Sequence, residues 1–315
     1  MKKIIVEDIS LCEKLWYQFS PNTSIWDLWK TILSFYSPEF FQPYFIFLED
    51  GGRQGLLPLW LSKESGRYFF FGGDLPENRT FWFPAELFSV FFRAMPKRTV
   101  LYDINERSVK DVLHFYPQYK DYFVHDENRY YLDLKGLNHD LDRYFAKFSS
   151  KHRKNLFYDM RKLMGGGVTV RWDTSAEPLE NMIRLNKERF AEHSDFLDNK
   201  TLRQFRSFAE HLERTDCLIT LTAEMNDKTI GIEMAAIYKN IYYVLNGGFN
   251  PQHENIGKLL IFEQIKKANT ERCSEIDFLV GDTGWKELWN LDREFVFTLD
   301  KEDMTEEALF LLTDL

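Results

Sequence analysis

The sequence has 315 residues, of which 44% are hydrophobic and 17% aromatic, and its formal net charge is −9. This apolar content is enough for buried cores, and the length suits two domains of ordinary size. The acidic balance argues against a DNA partner, because contacts to phosphate backbones depend on Lys and Arg. No apolar run approaches the ~20 residues that span a bilayer, and no secretory h-region follows the start. We therefore expect a cytoplasmic protein without a membrane span.

The three cysteines, Cys12, Cys217 and Cys273, are far apart in the sequence. They share no metal-ligand spacing with the seven histidines. We expect reduced packing residues and no metal site.

Strand and helix patterns recur along the chain in the same order. The first half predicts helices at 11–19 and 25–35, a hairpin at 44–61, a strand at 67–74, a helix at 85–95 and a strand at 99–103. The second half predicts helices at 150–164, 177–193 and 201–214, strands at 167–172 and 241–249, a hairpin at 217–238, a helix at 257–268 and a strand at 275–279. Gly55 and Gly72 lie roughly 175 residues before Gly231 and Gly247, which indicates an internal repeat.

The repeat predicts an α/β protein with two similar domains, each a mixed sheet flanked by helices. A polar run, His125–Arg129, precedes the strand Tyr130–Leu134. We place the boundary there, which gives domains at 1–128 and 129–315. A single large mixed sheet is the alternative topology.

The loop Gln252–Lys258 joins the aromatic strand at 241–249 to a helix that begins at Gly257. The first N–H groups of a helix have no intrahelical partner and favour an anion. Glycine permits a close backbone approach, and Asn tolerates a left-handed conformation better than most residues. The loop is therefore a candidate pyrophosphate site, although the same spacing also occurs where a helix simply follows a turn.

This strand order, the Gln252-x-x-Asn255-x-Gly257 loop and the helix after it resemble the acyl-CoA cradle of the GNAT superfamily. The usual pattern there is Arg/Gln-x-x-Gly-x-Gly/Ala, so Asn255 stands where glycine is usual. The stretches 148–156 and 277–289 are similar to the branch of CelD-like acyltransferases and Fem peptidyltransferases, which often carry two GNAT folds. The resemblance covers residues 148–290 and implies tandem GNAT-like domains with a degenerate first copy.

The resemblance implies an N-acyltransferase that moves an acyl group from acyl-CoA to a small-molecule or peptide amine, in a groove between the two domains. Such a transfer needs oxyanion donors and a proton acceptor, but no covalent nucleophile. The implied donor-binding residues are Leu245, Asn246, Gly247, Gln252, Asn255, Ile256, Gly257 and Lys258.

Four side chains are candidates for the chemistry. By resemblance, Lys286 touches the donor carbonyl or an acceptor carboxylate; otherwise it is a surface lysine. Asp277 is a base or an anchor for Lys286, or it pairs with an arginine or caps a loop. Glu233 lies between small neighbours on its strand face and could acquire the raised pKa of a general base; most strand carboxylates are instead solvated. Tyr243 and Tyr242 point to opposite faces, so one lines the cleft and the other packs.

The helix that begins at Ser150 has a basic face. This face could hold a phosphate of coenzyme A, the end of a tRNA or an anionic acceptor, or it could simply be solvated. The candidate substrate-binding residues are Arg153, Tyr158, Arg161, Asp282 and Trp285.

Two other functions fit the same residues. A Fem-like peptidyltransferase would take its acyl group from aminoacyl-tRNA, with the basic helix on the acceptor stem. A non-catalytic binding protein could keep the fold, which the degenerate first copy and Asn255 would allow.

Overall fold

The computed structural model describes residues 1–282 and 284–301. Contacts between residues divide the chain into two compact units. The first unit consists of Met1–Asn128 and the stretch that begins at Glu294, and the second unit is Arg129–Arg293. In chain order, the elements up to the division are β1 Lys2–Val6, α1 Ile9–Phe19, α2 Trp29–Leu33, β2 Phe41–Asp50, β3 Arg53–Ser62, β4 Tyr68–Phe70, α3 Phe88–Ala94, β5 Val100–Asn105, α4 Glu106–Phe115 and β6 Phe123–Asp133. The later elements are α5 Leu141–Ala146, α6 Ser150–Gly165, β7 Val168–Asp173, α7 Leu179–Phe190, α8 Asn199–Arg214, β8 Leu218–Met225, β9 Lys228–Tyr238, β10 Ile241–Phe249, α9 Ile256–Thr270, β11 Glu275–Val280 and β12 Asp292–Asp300.

The predicted class, mixed sheets flanked by helices, is confirmed. The first unit contains an antiparallel sheet of order β1-β2-β3-β4, and β12 pairs with β5. In the second unit the order is β6-β11-β10-β9-β8-β7, and β10 with β11 is its parallel pair. Each unit has its own buried apolar cluster. Within the described residues, no helix is long and apolar enough to cross a membrane.

In the first unit, the chain's own backbone fills the edge of β5. The N–H of Arg79 donates to the carbonyl of Asp103 (2.7 Å), and the N–H of Asn105 donates to the carbonyl of Arg79 (2.9 Å). The buried guanidinium of Arg79 donates to the carbonyls of Pro76 and Phe71 (3.0 Å each) and so fixes this segment. The β5 edge is therefore closed by backbone pairing.

Several predicted elements differ from the structure. The predicted helix 25–35 is a short 3₁₀ turn and α2, because Leu28 between them is extended (φ −81°, ψ 123°). The predicted strand 67–74 ends at Phe70, because the chain turns at Gly72 and Gly73, which have φ of 111° and 72°. The sequence patterns did not indicate β1, α4, α5 or β12.

Candidate functional site

Strands β10 and β11 separate partway along their length. Their parallel register runs from Ile241↔Glu275 to Tyr243↔Asp277, whereas β10 continues to Phe249. On its other side β10 stays paired with β9, with a bulge between Val244 and Asn246. Beyond the last pair, the backbone groups of residues 245–247 that point towards β11 could form hydrogen bonds with an extended ligand, in the way that an added strand would.

Asp277 and Lys286 hold the bend at which β11 turns away. One oxygen of the Asp277 carboxylate accepts from the N–H of Leu279 (2.9 Å), which has a left-handed φ of 65°. The ammonium of Lys286 donates to the carbonyls of Leu279 (3.1 Å) and Val280 (2.9 Å). A leucine in the left-handed region is strained, so these side-chain contacts stabilise an unfavourable turn.

Asp277 and Lys286 are both buried, and both side chains form hydrogen bonds within the protein. Asp277 is 3% exposed, and its second oxygen accepts from Nε (3.0 Å) and Nη2 (2.9 Å) of Arg129. Arg129 also pairs with Glu275. Lys286 is 6% exposed and lies 5.3 Å from the ring centroid of Tyr130. This geometry favours a role in shaping the site over direct contact with reacting atoms.

Glu233 is the carboxylate that meets the exposed part of β10. It pairs across the strands with Gly247, and a Cβ at Gly247 would lie 2.2 Å from its carboxyl carbon. Glu233 is 9% exposed, and burial raises its pKa to about 7, although the charge of Arg189 opposes the rise. A carboxyl with this pKa can accept a proton near neutral pH.

An amide network that the sequence patterns did not indicate fixes the same stretch of β10. Nδ2 of Asn186 donates to the carbonyl of Gly247 (2.8 Å) and to Oδ1 of Asn246 (3.1 Å). Its Oδ1 accepts from the hydroxyl of Ser194 (2.8 Å). The sequence signal for this network was the position of Asn186. It is a polar residue on the apolar face of α7, three and four positions after Ile183 and Met182.

Arg189 lies beside Glu233 and connects α7 to the end of β10. Its guanidinium carbon is 3.9 Å from the ring centroid of Phe249. A Cβ at Gly257 would lie 2.7 Å from the same ring. Gly257 is therefore required by packing of Phe249 under the start of α9.

The predicted anion loop leads into α9 as expected. Asn255, at the N-cap, adopts the left-handed conformation (φ 64°, ψ 6°) that glycine would supply elsewhere. The first bond of the helix runs from the N–H of Leu259 to the carbonyl of Asn255 (3.0 Å), so the N–H groups of Gly257 and Lys258 precede it. Ile256 is buried in the core, and Gln252 is exposed.

The remaining predicted residues lie as follows. Tyr242 and Tyr243 are both buried, and burial raises the pKa of Tyr242 well above its usual value. Leu245 is half-buried at the bulge. The Asp282 carboxylate accepts from the N–H groups of Gly284 (2.8 Å) and Lys286 (3.0 Å), and so caps the loop. Trp285 packs edge-on against Phe278, with ring centroids 5.9 Å apart.

Three candidates lie on α6, the helix whose Asp159 pairs with Lys258 at the start of α9 (3.2 Å). Tyr158 and Arg161 are exposed on the helix, and Arg153 is half-buried. Among the residues that the structure describes, no group of three or more His, Cys, Asp or Glu side chains could hold a metal ion.

Residues 150–287 match the family model of an acetyltransferase (GNAT) domain. No curated protein matches the chain significantly.

Solved structures share the fold over nearly the whole chain. The crystal structure of FemX has a TM-score of 0.63 at 12% identity, covering 100% of both chains. A tandem GNAT protein from the clavulanic acid biosynthesis pathway, solved without AcCoA, has a TM-score of 0.52 at 10% identity, covering 96% of this chain and 99% of that chain. The L-PGS structure from Bacillus licheniformis has a TM-score of 0.51 at 10% identity, covering 98% and 96%.

Proposed function

On the premise that residues 150–287 form a GNAT acetyltransferase domain, in a chain that shares its fold with FemX and with a tandem GNAT protein, we propose that the protein is an acyltransferase that moves an acyl group from acyl-CoA to an amine. The observation that carries this proposal is the separation of β10 from β11 beside Glu233. A thioester donor needs a strand edge to lie on, an anion site for its diphosphate and a nearby proton acceptor. The second unit offers a candidate for each: the edge of β10, the start of α9 and Glu233.

Backbone and loop would position the donor. The N–H groups of residues 245–247 that point away from β9 would face the space beside β11, and hydrogen bonds from them would stabilise a developing oxyanion. The N–H groups of Gly257 and Lys258, at the start of α9, would receive the diphosphate. When bound, acyl-CoA supplies the thioester carbonyl that the amine attacks.

Glu233 would take the proton. Attack by a neutral amine forms the C–N bond and leaves a positively charged nitrogen, while the C–S bond breaks and coenzyme A leaves as the thiol. Because the pKa of Glu233 is about 7, the carboxylate can accept the amine proton near neutral pH and then return it, through solvent, to the departing thiolate, which becomes the thiol. Asn186 would keep residues 246 and 247 in place during the reaction, through its bonds to both.

A thermal-shift titration tests the donor class. Acetyl-CoA or a longer acyl-CoA should raise the unfolding midpoint, because a ligand that binds only the folded state stabilises it. Steady-state transfer to a panel of amines, followed by release of free thiol, then tests the reaction. The absence of both a shift and thiol release for every acyl-CoA would refute the proposal.

A Fem-like reaction with aminoacyl-tRNA is the second candidate, because the fold is shared with FemX over the full length of both chains. The exposed cations Lys151, Lys154 and Arg161 on α6 would contact the RNA backbone. Binding of tRNA should then weaken steeply with salt and with loss of any of these cations. Salt-insensitive or undetectable tRNA binding would exclude this candidate.

A further inference from the structure

A cavity lies in the second unit between the start of α6 and the start of α9. Its volume is about 360 Å³, and its lining includes Lys151, His152, Asn155 and Asp159 of α6, Lys258 of α9, and Leu288. Lys258 is the last residue of the loop that the proposed function assigns to the donor diphosphate. The cavity is therefore continuous with that loop.

The charges of the cavity favour an anion. Its one carboxylate, Asp159, is 3.2 Å from the ammonium of Lys258, so this pair is close to neutral. The ammonium of Lys151 is exposed and forms no ion pair with any residue in the described ranges 1–282 and 284–301. One positive charge is left over, beside the imidazole of His152 and the amide of Asn155.

The cavity also has apolar walls. Leu156, which is buried, and Leu288, which is 55% exposed, both line it. The ring of His152 is held edge-on against Phe148, with centroids 5.0 Å apart. Apolar surface and an aromatic ring suit a planar base, whereas the cations suit a phosphate monoester, which carries about −1.5 to −2 charges at neutral pH.

We propose that this cavity binds the phosphorylated nucleoside end of the donor, with Lys151 on its phosphate monoester, and so selects CoA thioesters over donors that lack this phosphate. The proposal rests on the proposed function, since the diphosphate at the start of α9 directs the nucleoside towards Lys258. It makes Lys151 a specificity residue outside the reacting centre.

Isothermal titration of the full chain with CoA and dephospho-CoA tests the inference. We expect CoA to bind about tenfold more tightly, which is the scale of one charge-assisted hydrogen bond. Lys151→Ala should remove this preference by weakening CoA alone. Lys154→Ala, an exposed lysine on the same helix outside the cavity, is the matched control and should preserve the preference.

The outcomes separate this inference from the proposed function. Equal affinities for CoA and dephospho-CoA, or equal losses in both lysine variants, would overturn the cavity assignment while leaving acyl transfer intact. Adenosine 3′,5′-bisphosphate is the second probe. If it binds and depends on Lys151 while no acyl-CoA is turned over, the cavity assignment stands and the proposed reaction fails. Loss of tRNA binding in both lysine variants, without a CoA preference, would assign the surface to RNA instead.

Discussion

The carboxyl group of Glu233 lies directly over the Cα of Gly247, where a Cβ would come within 2.2 Å of it. This contact brings a carboxyl with a pKa of about 7 to the part of β10 that β11 no longer covers. The glycine thus allows the proton acceptor and the strand edge to meet.

Replacing Gly247 by Ala should reduce activity more than stability. The atom that must move is the end of a flexible glutamate, so we expect a loss of no more than about 1 kcal/mol in the free energy of unfolding but at least about a tenfold loss in kcat/KM. Gly248→Ala is the control, because its Cβ would lie 2.4 Å from the backbone nitrogen of Asn186. This overpacking against backbone should cost about 3 kcal/mol or more. Equal destabilisation by the two variants, measured by urea unfolding, would contradict this expected difference between Gly247 and Gly248.

Glu233→Gln should change the pH dependence of stability. The folded pKa of about 7 lies above the ordinary glutamate value of 4.5, so protonated Glu233 stabilises the fold at low pH and this contribution is lost as pH rises through 7. The loss amounts to about 3 kcal/mol and is absent in the glutamine variant. Urea unfolding between pH 4.5 and 8 measures it. A parallel stability profile for both proteins would show that the pKa is not raised.

The same variant tests the catalytic role of Glu233. In the parent, kcat/KM should rise with pH to a plateau above about 7, since only the carboxylate accepts a proton. Glu233→Gln should lower the plateau by about 10²-fold or more, the usual contribution of a general base. An unchanged profile would exclude Glu233 as the proton acceptor.

Asn255 should tolerate glycine and reject a β-branched residue. Its φ of 64° is accessible to glycine without strain, whereas valine would incur about 1–2 kcal/mol. We expect Asn255→Gly to keep both stability and acyl-CoA affinity, and Asn255→Val to lose both. Differential scanning calorimetry and ligand titration measure the two effects. A strong loss of affinity in the glycine variant would mean that the asparagine side chain itself contacts the donor.

Asp277→Asn should destabilise the fold and leave the chemistry largely intact. The change leaves the buried Arg129 with one fewer carboxylate partner, and breaking a buried pair costs about 3–5 kcal/mol. At a temperature well below the variant's own unfolding midpoint, kcat/KM should stay within about fivefold of the parent. A loss of about 10²-fold without destabilisation would instead identify Asp277 as a base.

The loop 252–258 and the stretch 277–289 resemble the GNAT superfamily. The family match over residues 150–287 confirms this resemblance. Helices α6, α8 and α9 and strands β7 to β11 were predictable because their apolar residues repeat with the period of a helix or strand. The left-handed Asn255 was also predictable, because few residues other than glycine and asparagine adopt that conformation at a helix start.

The roles of individual side chains were not predictable from the sequence, which left alternatives open for Asp277 and Lys286. Asp277 and Lys286 are adjacent to the motif in sequence, yet their partners are Arg129 and the carbonyls of a bend, which no local pattern specifies. Asn186 reaches Gly247 from 61 residues away.

The sequence by itself determined the repeated α/β pattern, the left-handed Asn255 before α9 and the match to a GNAT domain, since these depend on local periodicity and on conformations that few residue types allow. Only the tertiary structure decided that Glu233 faces Gly247, that β10 and β11 separate after Tyr243, and that Arg79 closes the edge of β5. These features depend on which distant segments pack together, and burial then sets the pKa of Glu233. The neighbours of Glu233 in the sequence left both a raised pKa and a solvated carboxylate open; the structure decided between them, because desolvation is a property of the assembled core.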